Sequence, residues 1–499
     1  MIKTFTRRDA LKLGAISGGA LLIPIALQSL GYAATAGSPQ PTPFEIQLPI
    51  PPVLKPVRSD ATTDYYEIAM NKSRVNILPG LTTEVWAYNG TTPGSTIIQR
   101  QNRQSVVRFI NNLDIPTSVH LHGMSSLPQY DGYPEDLISP GYYKDYIYPN
   151  SRAATLWYHD HAVMNTARNV YMGLAGMYIV QDQLELDLPL PKGKYDLPLI
   201  IQDKIFATNG SFIFDHDNHK GVMGDVILVN GAPWPKMNVS KRKYRFRVLN
   251  ASSSRAYKLA LSTGADLIVI GSDGGLLGAP VRTKDLRIGM AERYDLIVDF
   301  SQYPIGTKVV LQNLGLPNNK DYDRTNQVMR FDVVSQEFDE SSIPNTLRPF
   351  APLLRSSAVR ERRWTFEHRN DMWEINGKTW DKNRIDANPG FGDIEIWTFI
   401  TNGRDWFHPV HVHLVDFQVL ERNRQLPLPY ERGWKDIVYG GEDDNIQVIA
   451  QFKPNQGKYI MHCHNTVHED HDMMTQFQVG QGGADPMSAP AKPLPAPPL

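Results

Sequence analysis

The sequence predicts an all-β protein made of about three consecutive sandwich or barrel domains. Short apolar runs separated by Gly, Pro and Asn recur along most of the chain, for example Thr83–Tyr88, Ser105–Ile110, Lys243–Leu249, Tyr294–Phe300 and Ile394–Ile400. No long amphipathic helix and no alternation of strand and helix patterns is present. A length of 499 residues corresponds to about three domains of ~150 residues each.

The N-terminus has the features of a twin-arginine signal peptide. The run T-R-R-D-A-L-K begins at Thr6, a mostly apolar stretch extends from Leu13 to Leu30, and Ala34–Ala36 form an A-x-A cleavage site. A membrane anchor is the alternative, but glycines and a proline interrupt the stretch and no second span follows. We therefore expect residues 1–36 to be removed on export by the twin-arginine machinery. The mature protein is then periplasmic or secreted, without stable membrane insertion.

Charge and cysteine content narrow the class of protein further. Removing residues 1–36, which hold four basic residues and one acidic residue, changes the formal net charge from −1 to −4. That balance indicates neither nucleic acid nor an anionic membrane as a partner. Because Cys463 is the only cysteine, no internal disulfide can stabilise the exported fold, and burial of apolar surface must do so.

Two segments outside the expected domains have biased compositions. Residues 37–60 are rich in Pro, which predicts a linker or a segment that lies along the surface. Residues 481–499 are rich in Pro and Ala, and we expect this tail to be disordered.

The run Met461–Met474, M-H-C-H-N-T-V-H-E-D-H-D-M-M, predicts a metal centre. A thiolate, imidazoles and a thioether are the ligands of a blue-copper site, which needs one further imidazole from elsewhere in the chain. If Gly457–Cys463 is a strand, Cys463 faces one way while His462 and His464 face the other. One backbone segment then connects a copper–thiolate centre to a second metal centre. A cysteine that merely packs in the core is the alternative, but the neighbouring donors favour a metal.

Eight of the 14 histidines form four H-x-H pairs: His120 and His122, His159 and His161, His411 and His413, His462 and His464. On a strand, both imidazoles of a pair lie on one face, ~6.5–7 Å apart along the chain. That spacing suits ligands of neighbouring metals in one cluster. Two pairs lie in the first third of the chain and two in the last third, so we expect the cluster where the first and last domains meet. The middle domain is expected to be structural, and its D-H-D-N-H-K run to be a solvated loop.

These motifs resemble the four copper motifs of the multicopper oxidases, namely H-L-H-G at His120–Gly123, Y-H-D-H at Tyr158–His161, H-P-V-H-V-H at His408–His413 and the H-C-H run. Further similar segments are N-G-A-P-W-P from Asn230, Y-R-F-R-V-L-N-A-S from Tyr244 and A-E-R-Y-D from Ala291. Within the family, W-F-H-P-V-H-V-H, G-W-K-D from Gly433 and H-E-D-H-D-M-M are most similar to bilirubin oxidases and bacterial spore-coat laccases. The resemblance implies three cupredoxin-like Greek-key β-sandwich or barrel domains, which we place at residues 61–184, 185–345 and 346–480.

The resemblance also implies four copper ions, and every ligand position is filled. The implied type 1 ligands are His408, Cys463 and His468, with axial Met473. The implied type 2 ligands are His120 and His411. The implied ligands of the type 3 pair are His122, His159, His161, His413, His462 and His464. His471 falls outside the pattern, and we expect it to pair with Asp470 or Asp472.

Three further residues stand at family positions beside these ligands. Asp131 and Glu469 are expected to deliver protons through water for the reduction of oxygen. The alternative for each is a carboxylate that only orients a ligand imidazole. Trp406 is expected at the exposed edge of the type 1 site, where aromatic reductants dock, with core packing as its alternative.

The implied function is that of a copper-dependent oxidase. It couples one-electron oxidation of phenolic or tetrapyrrole (bilirubin-like) substrates at type 1 copper to four-electron reduction of O2 to water at a trinuclear cluster. A periplasmic cuprous oxidase for copper tolerance is the second hypothesis, although such enzymes usually carry a Met-rich insertion and the 15 methionines here are scattered. A non-enzymatic cupredoxin-fold scaffold of the envelope is the third. The expected partners are O2 and a small aromatic reductant, and we expect a monomer.

Overall fold

The computed structural model describes residues 37–402 and 406–499, and within them the chain forms three consecutive pairs of β-sheets. The all-β prediction, with three cupredoxin-like domains, is confirmed. The predicted signal peptide, residues 1–36, lies outside the described residues. Among the described helices, none has the length and apolar character needed to span a bilayer.

The first sheet pair contains nine consecutive strands, namely β1 (Arg58–Ser59), β2 (Thr63–Val75), β3 (Thr83–Tyr88), β4 (Gly94–Arg100), β5 (Gln104–Asn111), β6 (Val119–His122), β7 (Tyr142–Tyr148), β8 (Ala154–Asp160) and β9 (Ala175–Gln181). One sheet has the order β1-β2-β5-β7, with β3 also paired to β2, and the other has the order β4-β9-β8-β6. Every residue of β8 is buried. Leu156 and Tyr158 of β8 pack in the core of this sheet pair, while Trp157 packs in a separate apolar cluster, because successive strand residues face opposite sides.

The middle sheet pair contains twelve strands, namely β10 (Asp196–Lys204), β11 (Val226–Val229), β12 (Ala232–Pro233), β13 (Lys236–Ser240), β14 (Lys243–Asn250), β15 (Tyr257–Leu261), β16 (Leu267–Ser272), β17 (Gly275–Thr283), β18 (Asp285–Ile288), β19 (Arg293–Asp299), β20 (Lys308–Asn313) and β21 (Gln327–Ser335). The sheet orders are β12-β11-β10-β14-β19-β16-β17 and β13-β21-β20-β15-β18. Between them lies an apolar core that includes Trp234, Tyr257 and Phe331.

The last sheet pair contains ten strands, namely β22 (Arg360–Arg369), β23 (Met372–Ile375), β24 (Ile394–Asn402), β25 (His408–Val412), β26 (Phe417–Arg422), β27 (Trp434–Lys435), β28 (Ile437–Gly440), β29 (Asn445–Gln451), β30 (Gly457–Cys463) and β31 (Met474–Val479). The sheet orders are β23-β22-β24-β29-β26-β27 and β28-β25-β30-β31. Strand β30 has the bounds that the sequence predicts, and it lies in the sheet interior between β25 and β31.

Helices are short in the described part of the chain. The α-helices are α1 (Thr166–Met172), α2 (Gln183–Asp187) and α3 (Thr466–Asp470). Single 3-10 turns occupy Pro128–Tyr130, Gly193–Tyr195, Arg355–Ser357 and Pro429–Glu431. Asp470 at the end of α3 accepts hydrogen bonds from the backbone N–H groups of Thr166 and Ala167, at 2.8 and 2.9 Å. The first turn of α1 is therefore capped by a residue from the far end of the chain.

The Pro-rich segment 37–60 lies against two sheet pairs. Phe44 and Leu48 donate backbone hydrogen bonds to Trp234 and Lys236 of the middle pair, and Leu54 donates to Thr96 of the first pair. Of the two predictions for residues 37–60, a linker or a segment along the surface, these contacts support the second.

The expectation of a disordered C-terminal tail is wrong. Residues Lys492–Pro493 form a short strand, β32, which pairs with β7 of the first sheet pair. Leu494 donates a backbone hydrogen bond to Gly141 at 3.0 Å, and the Arg108 guanidinium donates to the carbonyl of Pro497. A Pro- and Ala-rich composition lowers the capacity to form a core, but this tail adds to the edge of a sheet that already exists.

We predict that deleting residues 491–499 lowers the stability of the fold. The deletion removes the β32 pairing and the bonds to Gly141 and Arg108, and each lost hydrogen bond costs ~0.5–1.5 kcal/mol. The midpoint of thermal unfolding, followed by circular dichroism, should fall by several degrees. Deletion of residues 498–499 alone is the control, since it leaves these contacts in place. Equal midpoints for both deletions would contradict a stabilising role for the tail.

Candidate metal centre

The histidines and the cysteine of the sequence motifs converge on four buried groups of potential ligand atoms. The groups are His408, Cys463 and His468; His122, His159 and His464; His161, His413 and His462; and His120, His411 and His413. Within each group the ligand atoms lie within 4.8 Å of one another. Each group therefore offers convergent nitrogen or sulfur donors to one metal ion.

The cysteine group is built from two strands and a helix. Cys463 ends β30, His408 begins β25, and His468 lies in α3. The Nδ1 atoms of His408 and His468 lie 3.3 and 3.6 Å from the Cys463 sulfur and 3.3 Å from each other. Met473 is buried in the same apolar cluster as Cys463, and its carbonyl accepts the Cys463 N–H.

The protonation chemistry of this group fits a soft cation. Burial raises the pKa of the Cys463 thiol, so a buried thiolate needs a positive partner. Burial lowers the pKa of His408 to about 3, which keeps the imidazole neutral, as a ligand must be. With two neutral imidazoles as its neighbours, the thiolate would take its counter-charge from a bound metal ion. The donors present match a type 1 copper site.

The other groups form one continuous cluster between the first and last sheet pairs. Across β6 and β8, His120 lies opposite His159, and across β25 and β30, His411 lies opposite His462. The Nε2 atom of His462 lies 3.3 Å from the Nε2 atoms of both His161 and His413. The Nε2 atoms of His120 and His411 are 3.4 Å apart. The four H-x-H pairs thus meet at the interface of the first and last sheet pairs.

Several imidazole nitrogens of the cluster are buried and have no hydrogen-bond partner. They are His122 Nδ1, His159 Nε2, His161 Nδ1 and both ring nitrogens of His464. A buried polar atom without a partner costs ~1–3 kcal/mol. Burial also lowers the pKa of His411 to about 3 and that of His161 to about 4, so these rings are neutral. Neutral imidazoles with buried, unpartnered nitrogens, gathered within reach of one another, fit coordination to copper.

Strand β30 connects the cysteine group to the histidine cluster, as the alternation of its side chains between the two faces of the sheet predicts. Cys463 belongs to the cysteine group, whereas His462 and His464 belong to two different three-histidine groups of the cluster. Since neighbouring strand residues face opposite sides, the cysteine group and the cluster lie on either side of this one backbone segment.

The two predicted carboxylates touch cluster imidazoles directly. Asp131 Oδ2 lies 2.7 Å from His413 Nδ1. The oxygens of Glu469 lie 3.1 Å from His462 Nδ1 and 3.5 Å from His161 Nδ1. Burial raises the pKa of the Asp131 carboxyl well above its usual range. Burial would also raise the pKa of Glu469, but His462 and His161 outweigh it and lower this pKa to about 2.

Trp406 lies beside the cysteine group together with a second indole that the sequence analysis missed. The Trp406 ring is partly buried, and its centroid lies 5.2 Å from that of His468. Trp373 of β23 stacks on His468 with centroids 3.6 Å apart and an interplanar angle of 21°. No motif marks Trp373 in the sequence, because its contact with His468 arises only from the packing of β23.

The middle sheet pair contributes more to this centre than the sequence analysis predicts. The carbonyl of Lys220 lies 2.8 Å from His468 Nε2, and the carbonyl of His219 accepts a hydrogen bond from the Trp373 indole N–H at 2.7 Å. The side chains of His216 and His219 are exposed, as a solvated loop requires. The backbone of the same loop nevertheless forms part of the wall around His468, a contact that the sequence analysis did not anticipate.

The expectation that His471 pairs with Asp470 or Asp472 is wrong. Its Nδ1 atom lies 2.6 Å from the carbonyl of Val467, one helical turn earlier, and its ring lies 4.0 Å from that of His219. Asp470 uses its carboxylate to cap α1 instead.

Two charged residues next to the cluster also escaped the sequence analysis. Asp436 lies 2.9 Å from His122 Nε2, and Arg293 forms an ion pair with Asp436 at 2.6 Å. Both belong to motifs that carried only the family resemblance, G-W-K-D and A-E-R-Y-D. Membership of those motifs was the one feature of the sequence that could have pointed to Arg293 and Asp436. The positions of the motifs along the chain do not show that the two motifs are in contact in the fold.

The chain matches the multicopper oxidase family over residues 69–185, 206–328 and 354–483. It is 42% identical to bilirubin oxidase of Albifimbria verrucaria, over 88% of this chain and 82% of the relative. It is 35% identical to a laccase of Bacillus subtilis, over 87% of this chain and 98% of that one. The crystal structure of a laccase from Pediococcus acidilactici superimposes with a TM-score of 0.82 at 30% identity, covering 89% of this chain and 95% of that chain.

The protein belongs to the multicopper oxidase family. It is a copper-dependent oxidoreductase that uses O2 as electron acceptor, with one type 1 copper, one type 2 copper and a type 3 pair as cofactors. The donor groups of the structure provide for all four ions.

We predict that Cys463→Ser abolishes the intense visible absorption of the holoenzyme. A serine hydroxyl cannot supply the thiolate on which that colour depends. Oxidation of reductants should stop, while copper content falls only from four ions to about three per chain, because the histidine cluster keeps all its donors. Absorption spectra and elemental analysis check both results. Unchanged colour would contradict the role of Cys463.

Proposed function

We propose that this chain is an exported oxidase of small aromatic reductants, both phenols and tetrapyrroles, with bilirubin among them. The observation that supports an active oxidase most strongly is the complete set of four buried donor groups. The bilirubin oxidase relative, with 42% identity over 88% of this chain, favours the tetrapyrrole class of reductant.

The donor groups support a specific ligand assignment. His408, Cys463 and His468 would bind the type 1 ion, with the neighbouring Met473 as a further, weaker ligand. His120 and His411 would bind the type 2 ion. The type 3 pair would be held by His122, His159 and His464 on one side and by His161, His413 and His462 on the other. His413 also lies near the type 2 donors, but its Nε2 atom faces His462 at 3.3 Å, which favours the type 3 assignment.

When bound, the four copper ions supply one-electron uptake at the type 1 site and accumulation of electrons for oxygen at the other three. Cys463 provides the connection between these sites, because His462 and His464 are its covalent neighbours. An electron that enters at the sulfur therefore has a route of a few bonds to either three-histidine group. Burial of all these side chains excludes water from the route.

The surroundings of His468 suit a planar reductant. Trp406 and Trp373 present indole rings next to the imidazole, and the loop that contains Lys220 covers its Nε2 edge. A reductant outside this layer can transfer an electron through contact with Trp406, the partly exposed ring of the two, without forming a bond to the imidazole. Such transfer depends on contact and potential rather than on one functional group, which supports a broad range of aromatic substrates.

The alternative functions make different demands on the chain. A cuprous oxidase for copper tolerance typically has a Met-rich cover over the type 1 site, whereas here only Met473 and Met474 adjoin in the sequence. An envelope scaffold without activity has no need of a complete donor set. The aromatic surroundings of His468 and the full ligand set therefore favour the oxidase of organic reductants.

We also propose export by the twin-arginine route to the periplasm or the exterior, and action as a monomer. The arginine pair and A-x-A site of residues 1–36 support the route. All donors of the four groups come from one chain, which supports a monomer as the active unit.

We predict that the purified holoenzyme oxidises phenols and bilirubin without added copper. Outer-sphere donation at the aromatic surface near His468 requires no further metal site. Oxygen uptake during a steady-state screen of phenols, bilirubin and Cu(I) would measure this. Phenol oxidation that occurs only with excess Cu(II) would instead support the cuprous oxidase, and inertness toward every reductant at full copper loading would support the scaffold.

We predict that Glu469→Gln slows turnover by about 10²–10⁴-fold, the range for loss of a general acid. The carboxylate contacts His462 and His161 on the cluster side, so it can pass protons toward that site. Glutamine keeps the size but cannot exchange a proton in this way. Copper content and blue colour should remain near normal. Anaerobic reduction by substrate should stay fast, while reoxidation by oxygen slows.

Asp470→Asn is the matched control, since it changes the next acid of the same helix, which caps α1 and contacts no cluster imidazole. Its reoxidation rate should resemble that of the unmodified enzyme. If Glu469→Gln loses copper but reoxidises normally when loaded, Glu469 only orients imidazoles and the proposed proton role is wrong.

A further inference from the structure

We propose that Asp436, held by Arg293 of the middle sheet pair, is a positioning residue that sets the ligand atoms of His122 and His411. The proposal rests on the assignment of these two histidines to the copper cluster. It gives the middle domain a defined part in building a site whose metal donors all come from the first and last domains.

Asp436 contacts both histidines from outside the cluster. It lies between β27 and β28, and its Oδ1 atom is 2.9 Å from His122 Nε2. Its backbone carbonyl is 2.8 Å from His411 Nδ1. One residue thus holds one ring nitrogen of an implied type 3 ligand and one ring nitrogen of an implied type 2 ligand.

Arg293 keeps the Asp436 side chain charged and fixed. The two terminal nitrogens of the guanidinium donate to the two carboxylate oxygens at 2.8 and 2.6 Å. Such two-point pairs between guanidinium and carboxylate fix orientation as well as charge.

A charged carboxylate can only accept hydrogen bonds, and a carbonyl oxygen has the same limit. His122 must therefore carry its proton on Nε2, and His411 must carry its proton on Nδ1. The nitrogens left with free lone pairs are His122 Nδ1 and His411 Nε2. His122 Nδ1 is one of the buried atoms without a hydrogen-bond partner, and His411 Nε2 faces His120 Nε2 at 3.4 Å. Asp436 thereby selects which nitrogen of each ring binds metal.

The Arg293–Asp436 pair is itself built into a buried charge network. Arg293 donates from its backbone N–H to Asp273 and from its side chain to the carbonyl of Thr155 in β8. Lys435, the neighbour of Asp436, lies 2.6 Å from Asp273 and 3.1 Å from Glu292. Hydrogen bonds and ion pairs therefore connect the motifs A-E-R-Y-D and G-W-K-D across the boundary between the middle and last sheet pairs.

Gly123, the last residue of the H-L-H-G motif, supplies independent support. Its φ of +91° is unfavourable for other residues, and a Cβ atom there would lie 2.6 Å from Asp436 Oδ2 and 2.7 Å from Arg293 Nη2. The backbone after His122 thus passes directly against the ion pair, which leaves room only for glycine.

Direct coordination by Asp436 is the competing role, because its carboxylate also lies within ligand distance of His122 and His411. Both carboxylate oxygens, however, are already bonded to Arg293. A metal ion would have to compete with a buried guanidinium for them, which favours positioning over coordination.

The test uses Asp436→Asn in the full-length, copper-loaded enzyme. The amide removes the charge and presents an N–H₂ group to Arg293 or to His122, so the fixed tautomers are lost. We expect the affinity for cluster copper to fall by about 10–100-fold, the usual effect of losing such an outer carboxylate. The type 2 electron paramagnetic resonance spectrum and the ultraviolet absorption of the coupled pair should change, while the blue absorption persists.

Lys435→Met is the matched control. It disrupts the same buried network, through Asp273 and Glu292, but contacts no cluster histidine. We expect a lower unfolding temperature with unchanged type 2 and type 3 spectra. Spectral changes of equal size in both variants would show that the network only supports the domain boundary, which would overturn the proposal. Full copper content with unchanged spectra in Asp436→Asn would also overturn it.

Arg293→Lys decides the remaining cases. It keeps the positive charge but loses the two-point geometry, so the proposal requires altered type 2 and type 3 spectra in this variant as well. Arg293→Lys therefore still tests the proposal if Asp436→Asn does not fold. Copper loss in Asp436→Asn with normal spectra in Arg293→Lys would show that Asp436 coordinates copper itself, contrary to the proposal. An unmodified enzyme without blue colour or copper would contradict the ligand assignment instead, so the two failures are distinguishable.

Discussion

The contact between strands from opposite ends of the chain is the constraint on which the rest of the structure depends. Strands β6 and β8, with the residue that follows β8, bring four histidines to the interface, and β25 and β30, with the residues just beyond their ends, bring four more. Eight buried imidazoles cannot all be satisfied by hydrogen bonds among themselves, and several of their nitrogens have no partner. Metal binding resolves this deficit, so the free energy of copper binding is also free energy of assembly for the first and last domains.

Other contacts between distant parts of the chain support the packing of these strands. Asp470 caps α1 from the far end of the chain, the C-terminal tail pairs with β7, and the Pro-rich segment 37–60 lies across the middle and first sheet pairs. Each of these contacts contributes little to stability, since a hydrogen bond adds ~0.5–1.5 kcal/mol. Together they restrict the motion of the domains whose strands carry the ligands.

The two metal centres use polar groups in different ways. Around Cys463 the environment is apolar and aromatic, and burial raises the pKa of the thiol, so the thiolate depends on the metal for its charge balance. Around the histidine cluster, Asp131, Glu469 and Asp436 each contact an imidazole nitrogen. This difference suits a centre that exchanges only electrons and a centre where protons must arrive with them.

The sequence by itself determined the all-β fold, the strand Gly457–Cys463, and the residue types of the two centres, because ligand chemistry and strand alternation are local properties. The allocation of donors to each centre came from the resemblance of the motifs to those of the multicopper oxidases. The sequence did not determine the order of the tail, the contact of the Lys220 carbonyl with His468, or the stacking of Trp373. Nor did spacing reveal that Arg293 and Asp436 meet, 143 positions apart. Those features arise where separate domains pack together, and only the tertiary structure decides which side chains face each other there.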